Sequence, residues 1–128
     1  GDKEWAKNVY KKAEGKAETI DDFSYLADSI IENLGDKEWA RNFYKKAEGK
    51  AEDCSDFSNL ADSIHEKLGD KEWAKKIYRK TEEKAKDSYD FNGLAESVRD
   101  NLGDKKWAKL LEKKAKELEE ENDDQDDD

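Results

Sequence analysis

The chain lacks proline and methionine, and its 128 residues include a single cysteine and a single histidine. One cysteine cannot form an internal disulfide, and one Cys with one His cannot complete a Cys/His zinc site. No apolar run approaches the roughly 20 residues that a membrane-spanning helix requires, and no signal peptide opens the sequence. We therefore expect no cofactor, no metal and no membrane partner, and a cytoplasmic location if the protein is natural.

Apolar residues are scarce and charge is abundant. Hydrophobic residues make up 34% of the chain and charged residues 47%, with a net charge of −10. Such a balance can indicate disorder. However, Ala, Glu, Lys, Leu and Arg account for 64 residues, which is typical of long helices, and four Trp, five Tyr and four Phe supply large apolar groups. The composition therefore favours a folded helical domain.

An internal repeat organises the sequence. GDKEWA begins at Gly1, Gly35 and Gly69, and GDKKWA begins at Gly103, which gives a period of 34 residues. The fourth unit stops after its first half. We therefore divide the chain into a repeat array over residues 1–116, with units starting at 1, 35, 69 and 103, and an acidic tail over residues 117–128. The tail holds nine acidic residues and no basic one, which predicts a solvated, disordered segment.

Each full unit contains two segments with the apolar spacing of an amphipathic helix. The first, here called the Trp-helix, runs from Asp2 to about Glu18 in the first unit, and the second, the Phe-helix, starts near Asp22. The stripe of the first Trp-helix comprises Trp5, Ala6, Val9, Tyr10, Ala13 and Ala17. That of the first Phe-helix comprises Phe23, Leu26, Ala27, Ile30, Ile31 and Leu34. The sequence therefore predicts an all-α protein of about seven helices.

Turn residues mark the predicted helix ends. Gly35, Gly69 and Gly103 follow the Phe-helices, where a left-handed C-cap residue is expected. Acidic residues at one register are the predicted N-caps of the Phe-helices, namely Asp22, Asp56 and Asp90. Gly15 and Gly49 align with Glu83, which predicts that they are ordinary helical positions.

The 34-residue helix-turn-helix period resembles that of the tetratricopeptide repeat (TPR) family. The turn Gly-Asp and the Ala, aromatic and Ala of that family's second helix are matched by Gly1, Asp2, Ala6, Tyr10 and Ala13. Its first helix is matched more loosely by Phe23, Leu26, Ala27 and Ile30. This alignment requires one extra residue before the turn, filled by Leu34, and the family's usual Pro is absent. The resemblance implies an α-solenoid whose concave groove binds peptides.

Carried over from the family, the groove positions lie on the Phe-helices. They are Ser24, Asp28, Ile31, Glu32, Ser58, Asp62, His65, Glu66, Asn92, Glu96, Arg99 and Asp100. Asp28, Asp62 and Glu96 form one acidic column, and Glu32, Glu66 and Asp100 form another. Carboxylates in a groove favour basic peptides, so the leading hypothesis is a non-enzymatic scaffold that binds proteins or basic peptides. The alternative interpretation is that these residues form solvated helix faces.

The two ends of the array differ. In the fourth unit Glu112 replaces the recurring Tyr, and Glu119 replaces the recurring Ala, as expected of a polar terminal cap. Trp5 and Val9 at the other end have no preceding helix in this sequence, so an exposed aromatic face is expected. This supports the rival hypothesis, a structural module that self-associates as a homo-oligomer through its N-terminal face. The alternative is a local rearrangement that buries Trp5 and Val9 within the chain.

No residue constellation suggests an enzyme. His65 aligns with Ile31 and Arg99, which predicts a variable surface position, and Cys54 lies beside Asp53 and Asp56, which disfavours a reactive thiolate. The recurring Trp residues are interpreted as packing between hairpins rather than as a stacking platform. Nucleic acid is excluded by the net charge and the lack of a basic stripe. Near-identical units without Met favour an engineered or idealised repeat, an excised piece or a recent duplication.

Overall fold

The computed structural model describes the backbone of residues 2–126 and the side chains of residues 2–121. Seven α-helices and no strand occur in this part of the chain, which confirms the predicted all-α class. The helices are α1 (Asp2–Lys16), α2 (Ile20–Leu34), α3 (Lys37–Lys50), α4 (Cys54–Ser63), α5 (Lys71–Lys84), α6 (Ser88–Ser97) and α7 (Lys105–Asp126). A π-helical turn extends α4 over Ile64–Leu68, and another extends α6 over Val98–Leu102.

The acidic tail is helical where the structure describes it. Helix α7 continues to Asp126, so the expectation of disorder is wrong for residues 117–126. Leu118 is partly buried against the core, so the start of the tail packs on the repeat array.

Each Phe-helix packs along the Trp-helix that follows it, which gives the hairpins α2–α3, α4–α5 and α6–α7. Their turns use the predicted glycines: Gly35, Gly69 and Gly103 all have φ between 65° and 67°. The next residue caps the Trp-helix, as Asp70 does by accepting the Trp73 N–H at 3.0 Å. Helix α1 has no preceding Phe-helix in the described residues.

The predicted N-caps of the Phe-helices were wrong by three residues. The first cap is Thr19, whose hydroxyl accepts the N–H of Asp22 at 3.1 Å. The Asp22 carboxylate reaches back to the N–H groups of Glu18 and Thr19, and these hydrogen bonds hold its pKa below the ordinary value. Both residue types suit a helix start, so the sequence alone did not distinguish them. Asp53 and Asp87 are the equivalent caps.

The core lies between the paired helices. Trp-helices α3 and α5 each bury four side chains, whereas α1 buries none. The buried residues facing one another in the first hairpin are Phe23, Leu26, Ala27 and Ile30 of α2 and Ala40, Phe43, Tyr44 and Ala47 of α3. The helical periodicity of the sequence therefore identified the buried faces of the paired helices.

Alanine substitutions at two glycines are expected to have opposite effects on stability. Gly49 is helical and a Cβ there meets no atom within 4 Å, so Gly49→Ala should stabilise the protein by about 0.5–1 kcal/mol. Gly69 has φ +66°, so Gly69→Ala should destabilise it by about 1–2 kcal/mol. Urea unfolding followed by circular dichroism measures both. A Gly69→Ala variant as stable as the parent protein would contradict the left-handed assignment.

Candidate functional site

Two buried tyrosines connect the Trp-helices to the acidic column of the Phe-helices. The hydroxyl of Tyr44 donates a hydrogen bond to the Asp28 carboxylate, and that of Tyr78 donates to Asp62. Burial, followed by the adjacent carboxylate, raises the pKa of both tyrosines well above the ordinary value of about 10. Asp28 and Asp62 are therefore half-buried structural partners as well as members of the predicted groove.

A residue that the sequence analysis missed completes this network. Asn101 donates to the Tyr78 hydroxyl at 2.8 Å and to Asp62 at 3.2 Å, so it connects the third Phe-helix to the second hairpin. Asn33, at the same register, donates to the Tyr10 hydroxyl at 2.6 Å. The recurrence of Asn at this register was the available signal. The middle unit has Lys67 there, which pairs instead with Glu32 at 3.6 Å.

The two predicted acidic columns come together around Tyr44. The charges of Asp28, Glu66 and Glu32 all raise its pKa, although they belong to two successive units. Glu32 and Glu66 are exposed, whereas Asp28 is half-buried. We call the surface that carries these carboxylates on the first two Phe-helices the Phe-helix face.

A cleft of about 380 Å³ opens in this face beside Tyr78. It is lined by Asp62, His65, Glu66 and Asn101. His65 is half-buried, and its Nδ1 atom is buried without a hydrogen-bond partner among the described residues. Three residues from the predicted groove, Asp62, His65 and Glu66, thus line one cleft, to which they contribute two carboxylates and an imidazole ring.

The other predicted groove residues lie outside this cleft. Ser24, Ser58 and Ile31 are half-buried, and Ile31 packs against the core. In the third unit Asn92, Glu96 and Asp100 are exposed, as is Arg99, which forms an ion pair with Glu112. The third unit therefore contributes a basic group that is already paired.

The N-terminal face is open in the structure. Trp5 is 72% exposed and Val9 is 42% exposed. Together with Ala6, Tyr10, Leu34 and others they border a groove of about 410 Å³. Self-association through these residues stays a prediction.

The later tryptophans are held between successive Trp-helices. Trp73 Nε1 donates to Glu48 at 3.2 Å, and Trp107 Nε1 donates to Glu82 at 3.0 Å. The Arg79 guanidinium lies 4.5 Å from the centre of the Trp107 ring. These contacts support the interpretation that the recurring Trp residues pack between helices. Trp5 differs, because it is exposed.

The remaining polar candidates include the single cysteine and the acidic residues outside the cleft. Cys54 is half-buried, and its pKa is raised to about 11 by burial and then by Asp90, Asp53 and Asp87. Its thiol is therefore protonated at neutral pH and is a poor nucleophile. Across residues 2–121 no group of three or more His, Cys, Asp or Glu side chains could hold a metal ion. Between residues 2 and 126 no helix is long and apolar enough to span a membrane.

The chain was compared with protein-family models, with curated proteins and with solved structures, and none of them matches it.

Proposed function

We propose that this chain is a TPR-like α-solenoid without enzymatic activity that binds a basic segment of another protein along its Phe-helix face. Three hairpins with the same helix order and the same Gly-Asp turn support the repeat architecture.

The observation that carries the binding proposal is the meeting of carboxylates from successive units. Asp28, Glu32 and Glu66 act together on Tyr44, and Asp62 and Glu66 border the same cleft. Negative groups concentrated on one surface attract cationic ligands and increase the rate of encounter at low salt.

The cleft fits a lysine or arginine side chain. A guanidinium in the cleft would lie between Asp62 and Glu66, whose carboxylates would accept its hydrogen bonds. Successive basic residues of an extended peptide would then follow the acidic columns toward Glu32. Glu32 and Lys67 already form a pair, so Lys67 limits the charge available at that end.

Binding of a fluorescent Lys/Arg-rich peptide, measured by anisotropy, tests the proposal. Binding should be measurable at about 0.01 M salt and lost at about 1 M, where the Debye length falls from about 30 Å to about 3 Å. Glu66→Lys should weaken binding about fivefold to tenfold, because it replaces an attraction with a repulsion at the cleft. Asp62 is unsuitable for this test because the substitution would also break its bond to Tyr78.

Glu83→Lys is the matched control, since it makes the same charge change at an exposed position of α5. Equal weakening by Glu66→Lys and Glu83→Lys would show a net-charge effect and contradict a defined site. Absence of binding at low salt would refute the proposal altogether.

A further inference from the structure

The face of α1 formed by Trp5, Ala6, Val9, Tyr10 and Ala13 recurs on the later Trp-helices, with Thr81 in place of the last Ala in α5 and Glu112 in place of the Tyr in α7, and there a Phe-helix covers it. On α3 the cover is α2, whose Phe23 ring lies 6.4 Å from that of Phe43. The register of Val9 is occupied by Phe43, Ile77 and Leu111, which are 0%, 0% and 1% exposed. In three hairpins, α2–α3, α4–α5 and α6–α7, the helix that packs on this face is thus a Phe-helix.

On α1 the same face has no such cover in the described residues. Val9 and Trp5 are open to solvent, and the groove beside them is lined mainly by apolar groups. Asn33 and Leu34, at the C-terminal end of α2, also line the groove.

The hydroxyl of Tyr10 provides a second, independent indication. Tyr44 and Tyr78 each donate to an acidic residue of the Phe-helix that covers them. Tyr10 accepts from Asn33, as Tyr78 accepts from Asn101, but its own O–H reaches only the Ser29 carbonyl oxygen, at 3.4 Å. That distance is long for an O–H donor. Tyr10 therefore lacks the carboxylate acceptor that Tyr44 and Tyr78 have.

In a second copy of the chain, the Phe-helices of the described residues are already packed. Its own Phe-helices bury Phe23, Phe57 and Phe91 within their hairpins. The C-terminal end of a second copy does not offer the surface on which a following Trp-helix packs. Glu48 and Glu82 accept the Trp Nε1 hydrogen bonds of the next unit, and Lys116 stands at their register in α7. Glu119 stands where the earlier units have alanine.

We propose that the α1 face is a docking site for an amphipathic helix of a partner protein with the pattern Phe-x-x-Leu-Ala-Asp-x-Ile. This pattern is that of α2 and α4. The apolar residues of the partner helix fill the groove beside Trp5 and Val9, and its Asp accepts the Tyr10 O–H. The site lies on a different surface from the acidic cleft and does not depend on it.

The probe is a synthetic peptide with the sequence of residues 17–36, which contains α2 and its caps. Calorimetric titration into the full chain should show saturable binding, and a Trp5→Ser substitution in the full chain should weaken it at least tenfold. A peptide carrying Asp28→Asn should bind about tenfold more weakly, since a hydrogen bond to a charged acceptor is lost. Against the Tyr10→Phe chain the two peptides should bind equally, which identifies the partner of that Asp.

A peptide in which Phe23→Ser and Leu26→Ser remove the apolar stripe is the control, and equal binding of it would overturn the proposal. Absence of binding at about 1 mM peptide would also overturn it. Light scattering of the chain alone over a hundredfold concentration range tests whether a second copy of the chain covers the α1 face instead. A mass that rises with concentration and becomes constant in the Trp5→Ser variant would show that a second copy occupies the face.

Discussion

Ile77→Ala is expected to destabilise the protein by about 2–5 kcal/mol, whereas Val9→Ala at the same register should cost less than about 1 kcal/mol. Ile77 is fully buried between α4 and α5, so truncation removes buried apolar surface and leaves a cavity. Val9 is 42% exposed, so truncation there leaves no enclosed space. Chemical unfolding followed by circular dichroism gives the free energy of unfolding for each variant.

Leu111→Ala is the appropriate comparison, because Leu111 occupies this register in α7 and is also buried. It should behave like Ile77→Ala. If Val9→Ala were as destabilising as the two buried substitutions, the α1 face would have to be covered in solution. The result would then indicate an associated form of the chain.

Tyr78→Phe should destabilise the protein by about 1.5–3 kcal/mol, the range for a hydrogen bond to a charged group. The substitution removes the donor to Asp62 and the acceptor for Asn101, so half-buried polar groups on two Phe-helices lose a partner. Tyr10→Phe should cost less than about 1 kcal/mol, because the Tyr10 hydroxyl has no carboxylate partner. The difference between the two variants reports the combined effect of the carboxylate partner and of the deeper burial of Tyr78.

The pH dependence of stability provides a second measurement of the Tyr78 environment, because burial and then the bond to Asp62 raise the pKa of Tyr78. The pKa of Tyr78 is raised in the folded protein, so the folded state retains this proton at pH values where the unfolded chain releases it. Its contribution to stability is therefore complete below about pH 10 and decreases as the pH rises above that value. Tyr78→Phe should show a weaker loss of stability above pH 10 than the parent protein. An identical slope in both proteins would contradict the assigned pKa shift.

The sequence by itself determined the helical elements. Two signals in it, the apolar spacing and the Gly-Asp turn, each depend only on residues a few positions apart. Apolar spacing defined which faces of the paired helices are buried, and Gly-Asp defined the turns, with Gly69 left-handed and Asp70 as the next cap. The N-caps of the Phe-helices and the extension of α7 into the acidic tail were exceptions. Thr19 and Asp22 are both good caps, and only the backbone geometry showed which one begins the helix.

The candidate site was predicted in part. The groove list included Asp62, His65 and Glu66, which the structure places at one cleft. It did not include Asn101, and it treated Asp28 and Asp62 as free for a ligand. Their tyrosine partners lie 16 residues away on another helix, and a pattern with helical spacing carries no information about contacts between helices.

Only the tertiary structure decided which repeated residues have the same environment. Val9, Ile77 and Leu111 share one register, yet one is open and the others are enclosed. Tyr10 and Tyr78 are the same residue type with different hydrogen-bond partners. Local propensity depends on neighbours in sequence, whereas burial and hydrogen bonding depend on which helix packs alongside. A near-identical repeat therefore specifies its helices locally, and its exposed and buried surfaces arise from packing between units.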